Sequence, residues 1–152
     1  MIEIKIKSFP ELSTLELYQL LQLRSEVFVV EQFCVYQDID NKDQIALHVL
    51  GYKDDELVGY TRIFKSGDYF ENASIGRVVV RESYREHKFG YTIMNASIEA
   101  IKEHFKESKI KISAQTYLKR FYNNLGFKEV GAEYLEDGIP HKGMMFIDKN
   151  KS

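Results

Sequence analysis

The sequence predicts an α/β fold, specifically an α+β sandwich in which helices flank a mixed β-sheet. Strand-like alternation and helix-like periodicity follow one another along the chain in the order β-α-β-β-β-α-β-α-β-β. The length of 152 residues suits one domain. With two prolines and neither repeat nor linker, the chain is most simply read as one unit. We therefore expect a single domain spanning residues 1–152.

The first strand and the first helix have distinct signals. Isoleucine alternates with charged residues over Ile2–Ile6, which is typical of a strand and not of a signal peptide. The segment Ser13–Glu16 has the spacing of a capping box. A helix is therefore predicted from about Thr14 into the region Arg24–Phe28. Periodicity does not decide whether Val27–Val30 extends this helix.

A polar segment at Glu31–Gln44 is predicted to be a loop. It carries three aspartates close together, Asp38, Asp40 and Asp43. A calcium loop would also require a central glycine and a terminal glutamate, and both are missing. We therefore expect a solvated acidic loop and no metal site.

The remaining elements follow from β-branched runs, helical periodicity and turn residues. Strands are predicted at Ile45–Tyr52, Leu57–Lys65, Ser74–Val80, Ile110–Ala114, Lys128–Tyr134 and Gly143–Ile147. Turns or loops are predicted at Lys53–Glu56, Ser66–Asp68 and Asp137–Pro140. Helices are predicted at Phe89–Lys106 and Thr116–Leu125, the second closed by Gly126.

Charge and cysteine content disfavour several classes of protein. The 21 basic and 23 acidic residues give a formal charge of −2, which disfavours nucleic-acid binding. No run approaches the roughly 20 apolar residues of a membrane span. The one cysteine, Cys34, excludes an intrachain disulfide and indicates a reducing, cytoplasmic setting. We expect it to be a partly buried small side chain and not a reactive thiol.

A strand, a short loop and a helix start follow one another over Val78–Thr92. A helix start has unpaired backbone N–H groups and a partial positive charge, so it suits a pyrophosphate. Gly90 allows close approach of a ligand to the backbone, and Arg85 and Lys88 add positive charge. The same segment is also compatible with an ordinary connection that carries solvated basic residues.

A second strand–turn–helix segment spans Ala114–Phe127. Phe121 and Leu125 are spaced for core packing. Tyr122 falls beside that face, where its phenol could reach a cleft. The alternative is a tyrosine that only packs at the helix edge.

Two motifs, Arg85-x-x-Lys88-x-Gly90 and Phe121-Tyr122-x-x-x-Gly126-Phe127, resemble the acetyl-CoA-binding core of the GNAT superfamily of N-acetyltransferases. The family has glycine where this chain has Lys88, so the sequence does not determine the backbone conformation of this loop. Five further blocks resemble the ElaA-type subgroup: Leu20–Arg24, Val27–Gln32, Tyr36–Asp40, Ile75–Val78 and Glu136–His141.

The resemblance implies a GNAT acyl-CoA N-acyltransferase fold whose V-shaped CoA cleft lies between the strands Ser74–Val80 and Ile110–Ala114. Backbone groups at Val78 would pair with the pantetheine arm and polarise the thioester carbonyl. Tyr122 would protonate the departing thiolate. The implied CoA-binding residues are Val78, Val79, Val80, Arg85, Glu86, His87, Lys88, Phe89, Gly90, Tyr91 and Gln115.

The acceptor amine must lose a proton before it attacks, so a base or a water relay is needed. Many relatives carry a glutamate on the strand that contains Val78, but here the segment Ile75–Arg77 has no carboxylate. Glu31, His48 and His141 remain as candidates, although the apolar neighbours of His48 favour a structural role. The arginines Arg24, Arg62 and Arg77 form internal ion pairs or bind an acidic group of the acceptor.

The resemblance implies an acetyl-CoA-dependent N-acetyltransferase that transfers the acetyl group directly to an amine. The catalytic candidates are Tyr122, Glu31 and His48. We expect a monomer or homodimer with no metal, no nucleic-acid partner and no membrane association. The alternative is a catalytically silent acyl-CoA-binding sensor or interaction module; the presence of Tyr122 together with the phosphate loop favours the enzyme.

Overall fold

The computed structural model describes residues 2–147, and a seven-stranded mixed sheet forms its centre. The strands are β1 (Glu3–Ser8), β2 (Leu47–Lys53), β3 (Glu56–Phe64), β4 (Ala73–Val80), β5 (Lys109–Gln115), β6 (Lys128–Glu136) and β7 (Ile139–Ile147). The helices are α1 (Thr14–Arg24), α2 (Phe89–Ala100) and α3 (Lys119–Asn124). The order across the sheet is β1-β2-β3-β4-β5-β7-β6, and only the β4–β5 pair is parallel. The predicted fold class is confirmed.

The start of α1 is a capping box, as the sequence predicts. The Ser13 hydroxyl accepts from the Glu16 amide at 3.0 Å, and the Glu16 carboxylate accepts from the Ser13 amide at 2.8 Å. The helix continues beyond Arg24 as a π-helical segment at Ser25–Glu31, so Val27–Val30 extends it. Such segments widen a helix locally and often lie at functional sites.

The other predicted elements are present with shifted ends. The predicted helix at Phe89–Lys106 is α2 followed by a π-helical segment at Ile101–Phe105. The predicted helix at Thr116–Leu125 is a 3₁₀ turn at Thr116–Leu118 followed by α3. The predicted loop after Val80 contains a 3₁₀ helix at Glu82–His87.

Helices cover both faces of the sheet. α1 packs on one face, in a cluster that includes Leu20, Leu50 and Tyr60. α2 packs on the other face, against residues of β2, β3 and β4. A Cβ atom at Gly51 or Gly59 would lie 2.4 or 2.9 Å from Ile93 Cδ1, so these two glycines allow α2 to approach the sheet.

A bulge in β4 separates it from β5. Tyr60 pairs with Val79 and Arg62 pairs with Gly76, so β4 has one residue more than β3 between these pairs. Arg77 lies in this bulge with φ of +49°. Bulges bend and twist a strand. β4 and β5 pair only near their starts, at Ala73 and Ser74, and then diverge. A V-shaped opening results.

The β6–β7 hairpin is longer than predicted. Its turn is Asp137–Gly138, with φ of +51° and +77°, and Ile139 and Pro140 already belong to β7. A two-residue hairpin turn of type I′ requires positive φ at both positions, for which Asp-Gly is a favoured pair. The predicted four-residue turn Asp137–Pro140 is therefore too long.

Within residues 2–147, no helix is long and apolar enough to cross a membrane.

Candidate active site

The opening between β4 and β5 is a cleft of about 480 Å³. This volume lies within the usual range of about 300–1,000 Å³ for small-molecule sites. Ile75–Val80 of β4 forms one wall, and Ile112, Ser113 and Gln115 of β5 contribute to the other. Because the two strands do not pair along this stretch, their facing backbone edges are available to a ligand.

The predicted phosphate loop leads directly from β4 into α2. Lys88 has φ of +59° and ψ of +26°, and α2 begins at the next residue. Lysine at the position of the family glycine therefore adopts the left-handed conformation that glycine adopts most easily. Arg85, Lys88, Gly90 and Tyr91 line the cleft.

Three predicted CoA-binding residues of this loop do not line the cleft with their side chains. Glu86 and His87 are exposed, and the rings of His87 and Phe89 stack at 5.4 Å. Only their backbone N–H groups remain for the predicted role in anion binding.

Arg85 and Glu31 form an ion pair at the edge of the cleft. Arg85 Nη1 lies 2.6 Å from Glu31 Oε2, and Arg85 Nε donates to the Val80 carbonyl at 3.0 Å. The sequence suggested that Arg85 adds positive charge beside the loop, but in the structure this charge is paired with the Glu31 carboxylate. Glu31, a predicted base candidate, lines the cleft next to the phosphate loop.

Gly90 connects the two sequence motifs through packing. A Cβ atom at Gly90 would lie 3.2 Å from Cε1 and Cζ of Phe121, closer than ordinary van der Waals contact. Tyr91 also packs on Phe121, with ring centroids 4.7 Å apart. Gly90 was predicted to admit a ligand; the structure adds that it admits the Phe121 ring.

Tyr122 is 5% exposed and lines the cleft. Its ring makes edge-to-face contacts with Phe121 and Phe127. Burial, together with the neighbouring Tyr117, raises the pKa of the Tyr122 phenol above its usual value, so the hydroxyl stays protonated at neutral pH. Within residues 2–147, this hydroxyl forms no hydrogen bond. It is therefore available as a proton donor.

Two contacts hold the segment after α1 against the cleft. The amide groups of Gln32 and Gln115 hydrogen-bond at 3.3 Å, and Cys34 Sγ donates to the Asp137 carbonyl at 3.3 Å. All four residues line the cleft. Cys34 is partly buried, as predicted. Gln115 is therefore placed where pantetheine binding was predicted, but it already has a side-chain partner.

His48 is in the core and not in the cleft. It is fully buried on the face of β2 that α1 covers, with Nδ1 2.6 Å from Tyr60 Oη and Nε2 2.9 Å from the Asp43 carbonyl. Burial lowers the pKa of His48, which keeps the ring neutral. Because both ring nitrogens are engaged, this position does not fit the catalytic role predicted for His48.

Buried ion pairs link the loop after α1 to the sheet. Arg24 Nη1 and Arg62 Nη1 both donate to Asp43 Oδ1, at 2.7 and 2.9 Å. Arg24 Nε donates to Asp38 at 2.8 Å. Arg62 also donates to Asp40. The prediction of a solvated acidic loop is wrong, because Asp38 and Asp43 are buried as partners of guanidinium groups.

Arg77 completes this network from the bulge of β4. Its Nε lies 2.8 Å from Asp38 Oδ1, and its Nη2 donates to the Asp38 carbonyl at 2.9 Å. The sequence left open whether Arg24, Arg62 and Arg77 form internal ion pairs or bind the acceptor, and the structure shows internal ion pairs.

Across residues 2–147, no group of three or more His, Cys, Asp or Glu side chains is arranged to hold a metal ion.

The network predicts a loss of stability in acid. Burial alone would raise the pKa of Asp40, but the hydrogen bond and charge of Arg62 outweigh it and lower the pKa to about 2. A carboxyl group of this kind stabilises the fold above its unfolded pKa of 3.8, and the stabilisation is lost as the pH falls to about 2. We expect Asp40 to contribute a loss of about 2 kcal/mol over this interval.

Urea unfolding at several pH values measures this loss. The Asp40→Asn variant is the control, since it has no carboxyl group to titrate at this position. Equal acid sensitivity of the variant and the parent protein would contradict the assignment to Asp40.

Part of the cleft lining was not revealed by the sequence motifs. Aromatic side chains from three separate segments belong to it: Tyr36, Phe64, Tyr69 and Phe70. Polar side chains from β5, β6 and β7 also line the cleft: Ser113, Glu136 and His141. No local pattern marks these residues, because the sheet order and the strand register bring them together.

A comparison with known proteins agrees with this geometry. A family model described as "Acetyltransferase (GNAT) domain" matches residues 13–147. Protein ElaA of Escherichia coli strain K12 is 48% identical over 146 residues, which cover 95% of this chain and 95% of ElaA.

Solved structures are similar along nearly the whole chain. The crystal structure of Escherichia coli ElaA has a TM-score of 0.89 at 47% identity and covers 96% of this chain and 99% of that chain. An acyl-CoA N-acyltransferase from Pseudomonas aeruginosa has the same TM-score and coverage at 36% identity. A GNAT family acetyltransferase from Elizabethkingia anophelis with acetyl-CoA bound shares the fold at 15% identity, with a TM-score of 0.65 and coverage of 96% and 97%. This chain is a homologue of ElaA and belongs to the GNAT acetyltransferase family.

Proposed function

We propose that this protein is an acetyl-CoA-dependent N-acetyltransferase, a single domain that transfers the acetyl group directly to an amine. One observation carries the proposal: the divergence of β4 and β5 brings the phosphate loop and the Tyr122 hydroxyl into one cleft. The acetyl-CoA held by the Elizabethkingia relative supports the choice of donor. The catalytically silent sensor remains the second candidate.

The donor would lie along the open edge of β4. The backbone at Val78–Val80 would pair with pantetheine as an added strand does. The backbone N–H groups of residues 85–91 would bind the pyrophosphate, with the ammonium group of Lys88 beside it. Gln115 would turn its amide from Gln32 towards pantetheine.

The proposed reaction has one attack and one departure. The lone pair of the amine attacks the thioester carbonyl carbon, and a backbone N–H near Val78 stabilises the resulting oxyanion. The C–S bond then breaks, and its electrons stay on sulfur. Tyr122 gives its proton to this sulfur, so the product is a thiol.

Turnover of acetyl-CoA with a library of amines tests the proposal. Release of free CoA thiol together with an acetylated amine would support the enzyme. Tight acetyl-CoA binding without turnover on any amine would support the sensor.

The same assay also tests whether the reaction needs a metal ion or Cys34. Adding a chelator, or replacing Cys34 in Cys34→Ala, is expected to leave the rates nearly unchanged. Loss of turnover in a folded protein would contradict the metal-free, cysteine-independent mechanism.

Lys88 offers a test of donor binding. We expect both Lys88→Gly and Lys88→Ala to weaken CoA binding about two- to fivefold, the effect of losing one exposed charge contact of 0.5–1 kcal/mol. Calorimetric titration with CoA measures this change, and two variants with unchanged affinity would contradict the placement of the pyrophosphate.

The two variants differ in backbone strain. A non-glycine residue in the left-handed region costs about 1–2 kcal/mol, part of which glycine returns through the entropy of its unfolded state. Lys88→Gly is therefore expected to be more stable than Lys88→Ala by about 0.5–1 kcal/mol in urea unfolding.

A further inference from the structure

His141 occupies the wall of the cleft with a defined tautomer. It is 6% exposed on β7, between Gln115 of β5 and Tyr134 of β6. Its Nδ1 lies 2.7 Å from the Ile139 carbonyl oxygen. A carbonyl oxygen only accepts hydrogen bonds, so Nδ1 carries the hydrogen. In the neutral ring, Nε2 therefore has a free lone pair.

Glu136 is placed to stabilise the protonated form of this ring. Its Oε2 lies 3.8 Å from His141 Nε2. Its Oε1 accepts from the Ser113 hydroxyl at 3.2 Å, and Ser113 also hydrogen-bonds with the Tyr134 hydroxyl. The Tyr134 ring stacks on the imidazole with centroids 6.2 Å apart. One oxygen of the Glu136 carboxylate thus lies near His141 Nε2, while the other is hydrogen-bonded to Ser113.

From this geometry, and resting on the proposed function, we propose that His141 is the general base for the acceptor amine and that Glu136 is its positioning residue. The other two candidates lack this arrangement. His48 is outside the cleft with both nitrogens engaged. Glu31 is ion-paired with Arg85 beside the phosphate loop.

The protons balance in the following way. His141 Nε2 takes one proton from the ammonium form of the acceptor, and the freed lone pair attacks the thioester. The imidazolium is stabilised by the Glu136 carboxylate and later releases its proton to solvent. When the C–S bond breaks, Tyr122 protonates sulfur, and the second proton of the former ammonium group restores the Tyr122 hydroxyl. The net products are the amide, CoA thiol and one proton.

This assignment predicts a dependence on the acceptor. An amine that is protonated at the assay pH needs a base, whereas an amine already neutral at that pH does not. The probes are primary alkylamines, whose conjugate acids have pKa values above the assay pH, and hydrazines of similar size, whose values lie near or below it. His141→Gln is expected to lower kcat/KM for the alkylamines at least about 10²-fold and for the hydrazines only a few-fold.

The pH profile separates catalysis from structure. The loss caused by His141→Gln with alkylamines is expected to shrink as the pH rises towards the amine's own pKa, because a growing fraction of the amine is then already neutral. Glu136→Gln is expected to lower kcat/KM for the alkylamines more than for the hydrazines, because it removes the carboxylate beside the imidazole that accepts the proton. A residue that only packs would give a loss that changes with neither pH nor acceptor.

Controls keep the assignment falsifiable. His104→Gln changes an exposed histidine after α2 and should leave all rates unchanged. Melting temperature and acetyl-CoA affinity are measured for every variant, and Glu136→Gln gives an independent readout if His141→Gln folds poorly. An equal loss on alkylamines and hydrazines, or a loss on alkylamines that does not shrink as the pH rises, would overturn the role of His141 while the proposed function stands. A wild-type protein that binds acetyl-CoA but acetylates neither class of probe would overturn both.

Discussion

Replacing Asp43 with alanine is expected to lower the free energy of unfolding by about 3–5 kcal/mol, the usual cost of removing one partner from a buried ion pair. Asp43 Oδ1 accepts from both Arg24 and Arg62, whose side chains are fully buried. Burial alone would raise the pKa of Asp43, but these two arginines outweigh it and lower the pKa. Without the Asp43 carboxylate, the two buried guanidinium groups have one negative charge fewer to balance their own.

Urea unfolding of Asp43→Ala beside two other variants measures this effect. Asp43→Asn keeps the size and one acceptor oxygen but loses the charge, so an intermediate loss is expected. Glu71→Ala removes an exposed carboxylate and should change stability by less than about 0.5 kcal/mol. A loss below about 1 kcal/mol in Asp43→Ala would show that the network does not stabilise the fold as described.

The same substitution should also affect the cleft. Asp38 and Asp43 hold the loop whose neighbouring residues Cys34 and Tyr36 line the cleft. Loosening this loop is expected to lower the rate with the acceptor more than the affinity for CoA, because the phosphate loop lies on other elements. Steady-state kinetics at a temperature where the variant is folded distinguishes the two parameters.

Tyr122→Phe is expected to lower turnover by about 10²-fold with nearly unchanged affinity for CoA. General-acid assistance is typically worth about 10²–10⁴-fold. We expect the lower end of that range, because a thiolate is already a fair leaving group, with a reference thiol pKa near 8.5. The substitution removes only the hydroxyl, which forms no hydrogen bond within residues 2–147.

Two comparisons test whether Tyr122 acts through its hydroxyl or through its packing. Tyr122→Ala should lower stability by about 3 kcal/mol, because it leaves a cavity beside Phe121 and Phe127. Tyr18→Phe removes the hydroxyl of an exposed tyrosine on α1 and should change neither turnover nor stability. Wild-type turnover in Tyr122→Phe, measured where chemistry limits the rate, would remove Tyr122 from the mechanism.

The features that could be predicted from the sequence depend on neighbouring residues. Alternation marks β1 because successive side chains of a strand point to opposite faces. The capping box at Ser13–Glu16 predicts the start of α1 because its hydrogen bonds join residues three apart. The two motifs around Gly90 and Tyr122 predict the family through their resemblance to it, and residues of both motifs line the cleft.

Sequence signals were weaker where tertiary contacts override local preference. The glycine position of the phosphate loop holds Lys88, and only the structure shows that the residue takes the left-handed conformation there. The aspartates of the loop after α1 look solvated in sequence, but their arginine partners lie 14 to 39 positions away.

The sequence by itself determined the order and type of the elements, the family, and the segments that form the cleft. The tertiary structure decided which histidine lies in the cleft. His48 points to the face that α1 covers, whereas His141 lies on the wall that diverges from β4. The physical reason is that sheet order, strand register and the bulge at Arg77 determine which distant side chains meet, and no local periodicity encodes these long-range pairings.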